Sequence, residues 1–498
     1  MNFPNILFLV WDSARLDYVR QHAPTLESLA TDNLWFENAI APATWSLPSH
    51  VSLFAGQYPH EHGVHRVDHQ INGLPLLDEL HQEDYTCYGV SGNGFASPRI
   101  GFDVSFDEFV YTRRQPAFKR GLPVRSAANH LNKEGYSKPE IVRTLLRRVL
   151  RHEHPLASAA NFINVAGTQL GIKYELLQQC PTGLFDSEPD YDPADNTEAL
   201  FEILEQHSSG SRPFFAFANY MDCHWPYDPP EEFRDKHVST ALNQSEIDRL
   251  NSLTAPWDFI QQVECGDGVR EEDLDTVRDL YAAEVESVDE HLKRILSKLE
   301  ETGLREDTLI VITADHGENL GEIDAMGRQR MGHEASVSEN LVRVPLVIAH
   351  PALEGKTFDR HVSLTGLYDL FISGTTNQSL ENGAVSDALG TEDVILCEYP
   401  AVGGEEMAEK YPDIPDCILA DRLSTHSVVA YRDDWRVVLD STGEEWAWQD
   451  GEEASVEGAP STVVSCCRSA LNKLETTGDK SEELSDSVVE QLEDLGYM

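Results

Sequence analysis

The stretch that decides the fold is NILFLVWD, residues 5–12, a short apolar run that ends in a carboxylate. An uninterrupted apolar run of this length is typical of a strand buried in a parallel sheet. In open α/β sheets, ligands bind at the carboxyl ends of the strands. The stretch therefore predicts an α/β fold and makes Asp12 the first candidate site residue.

The same pattern returns later in the chain. Four further apolar runs end in polar residues or lead into them: YTCYGVSGN (85–93), FFAFAN (214–219), DTLIVITADHGENLGE (307–322) and RVPLVIAHP (343–351). Helical patterns separate these runs, among them residues 23–36, with Thr25 near the start, and the amphipathic run 274–303, which ends at Gly303. Alternating strands and helices predict a large mixed, mostly parallel sheet flanked by helices.

The end of the chain differs from the rest. Residues 427–450 alternate between apolar and polar side chains, as antiparallel strands do, with STGEE (441–445) as a turn. The last stretch, SDSVVEQLEDLGYM (485–498), predicts a closing helix capped by Ser485 or Ser487. We therefore predict a catalytic domain over residues 1–390 and a smaller C-terminal α+β subdomain over residues 391–498.

A basic segment interrupts this otherwise acidic chain. Residues 112–151 are rich in arginine and lysine, and KPEIVRTLLRRVL (138–150) has the pattern of an amphipathic helix. We predict a basic helical insertion over about residues 112–180. Two interpretations stay open: a solvated helix packed through its Leu/Val face, or a binding site for an anionic substrate, an acidic partner or a lipid head group.

Composition limits the setting in which the protein works. The 498 residues carry 86 acidic and 38 basic side chains, which gives a formal net charge of -48, and the acidic excess is spread along the chain. A dispersed acidic surface suits a very salty cytosol, where counterions screen its self-repulsion. The composition therefore predicts a halophilic, haloarchaeal source. It argues against nonspecific nucleic-acid binding, which needs a basic surface.

Targeting and redox signals are few. The N-terminal run lacks a basic flank and is interrupted by Asp12, and no segment approaches the roughly 20 apolar residues of a membrane span. None of the eight cysteines forms a C-x-x-C pair. We therefore expect a reduced, cytoplasmic protein without an integral membrane segment.

Ser46 lies in ATWSLPSHVSLFAGQYPHEHGVH, residues 43–65. It could cap the helix that follows, or it could be a nucleophile, and the two are compatible because helix N-termini also receive anions. Together with Asp12, Asp315 and His316, it offers the donors of a divalent-cation site. A cation beside a hydroxyl lowers the hydroxyl pKa and neutralises charge on an attacked sulfuryl or phosphoryl group. Taken singly, these aspartates also suit turns, and Asp-His-Gly is a common loop tripeptide.

Taken together, the stretches resemble the sulfatase family of the alkaline phosphatase superfamily, from Asn5 to about Pro351. The similar segments follow in family order: NILFLVWDSARLD, SLPSH…LFAGQYPHEHGV, GFDVSFDEF, FFAFANYMDCHWPY, YAAEVESVDEHLKRIL, TLIVITADHGENLGE and GHEASVSENLVRVPLVI. The resemblance implies an alkaline phosphatase-like α/β fold and hydrolysis of an anionic ester. The expected substrate is an anionic small molecule, a glycan or a lipid-linked compound.

The resemblance also implies a role for each matching residue. The metal ligands would be Asp12, Ser46, Asp315 and His316, with Ser46 also the nucleophile. His224 would hold the transferred group or protonate the leaving oxygen, and His333 would act on the leaving-group side. Asn93 and His50 would lie at the substrate. A second metal ion held by Asp222, His224 and His333 is an alternative.

Three departures from the family pattern change these expectations. Ser13 stands where many members have a second aspartate. His316 stands where many have asparagine, which shifts the preference for the single metal from Ca or Mg toward Mn or Zn. His50 stands where formylglycine formation needs an arginine, so we expect an unmodified Ser46.

Three functions remain in competition. The first is a sulfate-ester hydrolase, the second is a phosphoester or phosphonate hydrolase or a phospho-group transferase, and the third is a non-catalytic anion-binding relative.

Overall fold

A computed structural model gives the structure of most of the chain. The described residues are 4–66, 69–112, 138–151, 191–208, 212–254, 268–333, 335–375, 381–390, 392–401 and 425–477, with a few isolated residues between these ranges. Residues 1–111 and 193–481 belong to one compact unit, and the helix at residues 138–151 belongs to another.

The described strands form three sheets. In chain order they are β1 (Asn5–Trp11), β2 (Leu34–Ile40), β3 (Thr86–Ser91), β4 (Glu108–Tyr111), β5 (Phe214–Tyr220), β6 (Thr308–Thr313), β7 (Asn319–Ile323), β8 (Gln329–Gly332), β9 (Arg343–Val344), β10 (Leu346–Ala349), β11 (Lys356–Ser363), β12 (Ile395–Tyr399), β13 (Ser427–Arg432), β14 (Trp435–Asp440), β15 (Glu445–Gln449) and β16 (Glu452–Ala454).

Helices cover the sheets. The described helices are α1 (Leu16–His22), α2 (Pro24–Thr31), α3 (Ser46–Ala55), α4 (Pro59–His62), α5 (Pro75–Gln82), α6 (Lys138–Arg151), α7 (Pro193–His207), α8 (Glu231–His237), α9 (Gln244–Thr254), α10 (Glu271–Thr302), α11 (Glu339–Val342), α12 (Leu367–Thr375), α13 (Asn382–Leu389) and α14 (Ser461–Thr477). The long helix α10 ends at Gly303, which has φ of 72° and so takes the left-handed conformation of a helix C-cap.

The large sheet is mixed and mostly parallel, as predicted. Its order is β11-β2-β10-β6-β1-β5-β3-β4, with β9 beside β2, and β10 runs antiparallel to both of its neighbours. β5 and β6 are buried along their whole length, which explains their apolar sequences without alternation. Phe8 on β1 lies at the centre of an aromatic core, with ring centroids 5.1 Å from Phe371 and 5.8 Å from Phe217.

One sequence prediction is wrong within this sheet. The helix predicted over residues 23–36 ends at Thr31, and the apolar residues after it form strand β2. Asn33 produces the break, because its side-chain amide donates to the Leu29 carbonyl (2.9 Å) and its Oδ1 accepts the His350 backbone N–H (3.1 Å). The polar side chain thus closes the helix and joins the next strand to β10.

A separate antiparallel sheet follows, in the order β12-β13-β14-β15-β16. Helix α14 packs on it through Val463, Cys467 and Leu474, against residues such as Val428 and Val437. The closing helix predicted over residues 485–498 lies outside the described residues, and the boundary at residue 390 stays a prediction. The helix predicted at residues 138–150 is confirmed as α6, although much of the predicted insertion also lies outside the described residues. Within the described part of the chain, none of the helices combines the length and apolar character of a bilayer span.

Candidate active site

Four strands deliver polar side chains to one edge of the large sheet. Asp12 follows β1, Asn93 lies just beyond β3, Asn219 lies near the end of β5, and Asp315 follows β6. These strands are adjacent in the order β6, β1, β5, β3 and run parallel, so their carboxyl ends lie side by side. All four side chains are buried. The strand-end pattern of the sequence therefore corresponds to one cluster in space.

Ser46 joins this cluster from the start of α3. It is the first helical residue, and Trp45, with an extended backbone, occupies the cap position. The Ser49 hydroxyl donates to the Asp315 carbonyl (2.6 Å), which fixes the first turn of α3 against the end of β6. The Ser46 hydroxyl therefore faces the site instead of capping its helix, and its Oγ lies 3.4 Å from His316 Nε2.

The two oxygens of Asp315 have different surroundings. Oδ1 accepts the backbone N–H groups of Ser13 (3.1 Å) and His316 (2.9 Å). Oδ2 is buried and receives no hydrogen bond from the described residues. It lies 3.3 Å from His316 Nε2 and 3.5 Å from His50 Nδ1. Burial raises the pKa of Asp315, because its charge is poorly compensated there.

The His316 ring presents an unprotonated nitrogen to Asp315 Oδ2. Its Nδ1 is 2.8 Å from the Gly317 carbonyl, which can only accept, so Nδ1 carries the proton. Burial lowers the pKa of His316 well below its ordinary value, so the ring is neutral and Nε2 carries a lone pair. Two acceptors 3.3 Å apart repel each other unless a cation or a proton lies between them. A ligating histidine that donates its other N–H to a backbone carbonyl is typical of metal sites.

A bound divalent cation therefore suits this donor set. Potential ligand atoms of Asp12, His50 and Asp315 lie within 4.8 Å of one another. Both ring nitrogens of His50 already contact protein groups, so the two carboxylates are the available donors of this set. His316 Nε2 and Ser46 Oγ lie beside Asp315 Oδ2, through the contacts described above. Two carboxylates with imidazole and hydroxyl donors suit a hard or borderline cation.

Asp12 is held by residues that the sequence analysis treated differently. Asn93 and Asn219 both donate a side-chain N–H to Asp12 Oδ2, the second at 3.3 Å. Asn93 Oδ1 accepts the Phe95 backbone N–H (2.6 Å), so both ends of the amide have protein partners. Asn93 thus orients a carboxylate in this structure, and its predicted contact with substrate stays a prediction. Asn219 was missed, although the strand-end pattern that identified Asn93 also applies to it.

Ser13 links the two carboxylates. Its backbone N–H donates to Asp315, and its hydroxyl donates to Asp12 Oδ1 (3.3 Å). Its φ of 63° is in the left-handed region, which is costly for a residue other than glycine. Tyr281 supports this conformation, because its hydroxyl donates to the Ser13 carbonyl (2.7 Å) and accepts the Arg15 N–H (2.8 Å). Ser13, which stands where many family members have a second aspartate, therefore holds the two carboxylates of the site in place.

His50 lies inside the cluster. Its Nδ1 donates to the Ser46 carbonyl (2.8 Å), and its Nε2 accepts from Asn219 Nδ2 (3.0 Å). The ring therefore ties α3 to β5 beneath Ser46. The contact with substrate predicted for His50 stays a prediction.

Two more histidines lie beside His316. The His333 ring centroid is 4.6 Å from that of His316 and 5.2 Å from that of His224. His224 Nδ1 donates to the Trp225 carbonyl (2.6 Å), which leaves its Nε2 as the other polar atom of the ring. The structure thus places His333 between His316 and His224, and the catalytic roles of His224 and His333 stay predictions.

Glu318 is a site residue that the sequence analysis missed. Both of its carboxylate oxygens lie 3.3 Å from His333 Nδ1. Burial raises the pKa of Glu318 to about 8 and lowers the pKa of His333 to about 3. At neutral pH the pair is therefore a carboxylic acid beside a neutral imidazole. A charged residue two positions after Asp315-His316, at the end of a buried strand, was the available signal.

Comparisons with known proteins identify a family and several relatives. The family model described as Sulfatase matches residues 4–372. Human iduronate 2-sulfatase is 25% identical over 320 residues, 60% of this chain and 51% of that protein. The low-salt glycan biosynthesis sulfotransferase Agl7 of Haloferax volcanii is 38% identical over 87 residues, 18% of this chain and 20% of its own. The chain thus matches about half the length of the iduronate sulfatase and about a fifth of the length of Agl7.

Solved structures share the fold. A phosphonate monoester hydrolase of Agrobacterium radiobacter superposes with a TM-score of 0.58 at 18% identity, over 95% of this chain and 96% of its own. At this identity the likeness concerns the fold alone.

Proposed function

The chain belongs to the sulfatase family, and from this premise we propose that it is a metal-dependent hydrolase of sulfate esters with Ser46 as its nucleophile. The observation that carries the proposal is the buried contact between His316 Nε2 and Asp315 Oδ2, two acceptor atoms that face each other beside Ser46 Oγ. This arrangement is costly in a purely structural role, and a cation makes it favourable.

The proposed ligands of one divalent cation are Asp12, Ser46, Asp315 and His316. When bound, the cation would neutralise charge on the sulfuryl group and lower the pKa of the Ser46 hydroxyl. The imidazole donor His316 favours Mn or Zn over Ca or Mg.

The chain's own groups account for the transfer. Ser46 Oγ gives its proton to water and attacks the sulfur in line, which forms an S–Oγ bond while the bond from sulfur to the alcohol oxygen breaks. His224 or His333 assists the departure of the alcohol, whose oxygen takes up one proton from water. Water then attacks the same sulfur, the S–Oγ bond breaks, and Ser46 regains its proton as sulfate leaves.

Glu318 supports the donor role of His333 in this scheme. As a buried acid it donates to His333 Nδ1, so the proton of the neutral ring lies on Nε2. An Nε2–H is the form that can donate to a leaving oxygen. Glu318 is thus a positioning residue that acts through His333.

The proposed substrate class is a sulfated glycan in a high-salt cytosol. The printed name of Agl7 joins sulfate transfer to glycan biosynthesis, which supports the substrate class. The net charge of -48 supports the high-salt setting.

Hydrolysis of a phosphoester or phosphonate is the second candidate. The observation that favours it is His50, which stands where an arginine would accompany formylglycine and whose ring nitrogens both contact protein groups. An unmodified serine beside a cation is equally suited to attack at phosphorus.

One experiment separates these functions. The full chain, supplied with Mn²⁺ or Zn²⁺, is assayed on an aryl sulfate, a phosphate monoester, a phosphodiester and a phosphonate monoester. We expect the highest kcat/KM on the sulfate, and we expect Ser46→Ala to reduce it by about 10⁴-fold or more. Preference for a phosphorus ester would replace the first function by the second, and wild-type activity in Ser46→Ala would overturn both. The mass of the peptide that contains Ser46 tests for formylglycine.

A further inference from the structure

Helix α6 presents an unusual combination of side chains to solvent. Leu146 is 43% exposed and Leu150 is 76% exposed. Among the described residues, four large apolar side chains are exposed, and these two leucines are the pair that shares an element. Three exposed arginines flank them at helical spacings of three and four residues: Arg143, Arg147 and Arg151.

The buried side of α6 lies about 100° around the helix from the two exposed leucines. Leu145 and Val149 are 4% and 3% exposed, so they provide the packing face that the amphipathic pattern predicts. Leu146 and Leu150 are therefore surplus to the packing of this helix. Their exposure is unexplained by the fold, because isolated surface leucines are common but a pair among arginines is a specific arrangement.

The charge of the segment opposes that of the chain. Residues 112–151 contain eleven arginines and lysines against two acidic residues, in a chain with a net charge of -48. An anionic surface is attracted to such a segment and repelled by the acidic remainder of the chain.

We propose that the exposed face of α6 binds the surface of an anionic lipid bilayer. Arginines bind phosphate head groups, while leucines beside them enter the boundary between head groups and acyl chains. Leucines would contribute little to binding a nucleic acid, and the acidic remainder of the chain would oppose it. The inference is independent of the proposed hydrolysis, because it rests on no residue of the active site.

Vesicle flotation with the full chain tests the proposal. Vesicles of phosphatidylglycerol and phosphatidylcholine in equal parts are compared with vesicles of phosphatidylcholine alone. The salt series starts at the lowest concentration at which circular dichroism shows a folded wild type. We expect binding to the anionic vesicles only, and a decline as salt is raised.

Two variants measure the contributions of the arginines and of the leucines to vesicle binding separately. Arg143→Gln/Arg147→Gln/Arg151→Gln should weaken binding roughly 100-fold, since each arginine near an anionic surface contributes about fivefold. Leu146→Ser/Leu150→Ser should weaken it about 10-fold. The matched control is Val104→Ser/Ile323→Ser, which removes the other two exposed apolar side chains and should bind as the wild type does.

Each other outcome overturns the proposal. Equal binding to both vesicle types, no binding to anionic vesicles, or wild-type binding by the arginine variant would each do so. If only the arginines matter and the leucine variant binds normally, the face serves an acidic macromolecule instead of a bilayer. Circular dichroism and hydrolysis of a soluble ester confirm that each variant is folded.

Discussion

Two groups of histidines in this molecule, one buried and one half-buried, carry their protons on opposite nitrogens. In the site group, His50, His224 and His316 each place Nδ1 against a backbone carbonyl, to which Nδ1 donates. In the second group, which we call the turn group, His62, His69 and His426 each place Nδ1 against a backbone N–H, from which Nδ1 accepts. In a neutral ring, the partner of one nitrogen fixes the state of the other.

The difference separates rings that can be ligands from rings that cannot, except that the Nε2 of His50 already accepts from Asn219. A ring whose Nδ1 donates can offer an Nε2 lone pair to a cation, while a ring whose Nδ1 accepts offers an Nε2–H to an oxygen. His62 illustrates the second case, because its Nε2 is 3.0 Å from the Ser52 hydroxyl. Burial and a lowered pKa are common to His62 and His316, so neither property alone identifies a site.

The strongest way to break this comparison is Asp315→Asn. The amide would place an N–H near His316 Nε2 and so relieve the conflict between acceptors without a cation. We expect kcat/KM to fall by about 10³-fold or more, because metal sites supply several kcal/mol of charge stabilisation. Added Mn²⁺ should stabilise the wild type by roughly 4 kcal/mol at a concentration 1,000-fold above Kd, and should leave the variant unchanged. Thermal melts of the chelator-treated wild type and variant, with and without added Mn²⁺, measure the two metal responses.

Glu398→Gln is the matched control at a carboxylate outside the site. Glu398 is also a buried carboxylate beside a histidine, but it accepts from the His60 ring and from the His60 backbone N–H (2.9 Å). The control should lose stability and keep its response to Mn²⁺. The comparison fails if the control loses the metal response, or if the wild type never shows one.

Replacing Glu318 tests how His333 fits this comparison, because its Nδ1 faces a carboxyl group instead of the backbone. Glu318→Leu should lower kcat by roughly 10- to 100-fold on an alkyl sulfate, and much less on 4-nitrophenyl sulfate, which needs no proton donor. Glu318→Gln should restore most of the activity, since its amide N–H can donate to Nδ1 as the acid does. An equal loss of kcat on both esters would indicate a structural role only.

The sequence predicted the parts of the site that depend on strand ends. Asp12 and Asp315 follow apolar runs, and parallel strands bring such residues together whatever the details of packing. The partners of the site were harder to predict, because Ser13 acts through a left-handed backbone and Asn219 through contacts with two distant elements. The helix wrongly extended over β2 has a similar cause: the break depends on Asn33, whose hydrogen-bond partner His350 is more than 300 residues away.

The smallest expected effect concerns the turn group itself. Burial lowers the pKa of His62 from 6.5 to about 3, so the unfolded chain takes up a proton below about pH 6.5 that the folded chain refuses. The stability from this group is therefore complete above pH 6.5 and is lost as the pH falls toward 3. Between pH 6.5 and 5, one such histidine costs up to about 2 kcal/mol. His62→Asn keeps an acceptor for the Val64 N–H and should make the decline in unfolding free energy from pH 7 to pH 5 shallower by up to that amount, as measured by urea denaturation. Activity at pH 7 should stay within about twofold of the wild type, because a histidine whose Nδ1 accepts from the backbone offers no lone pair to the reaction. An unchanged pH slope, or a large loss of activity, would remove the distinction between the two groups.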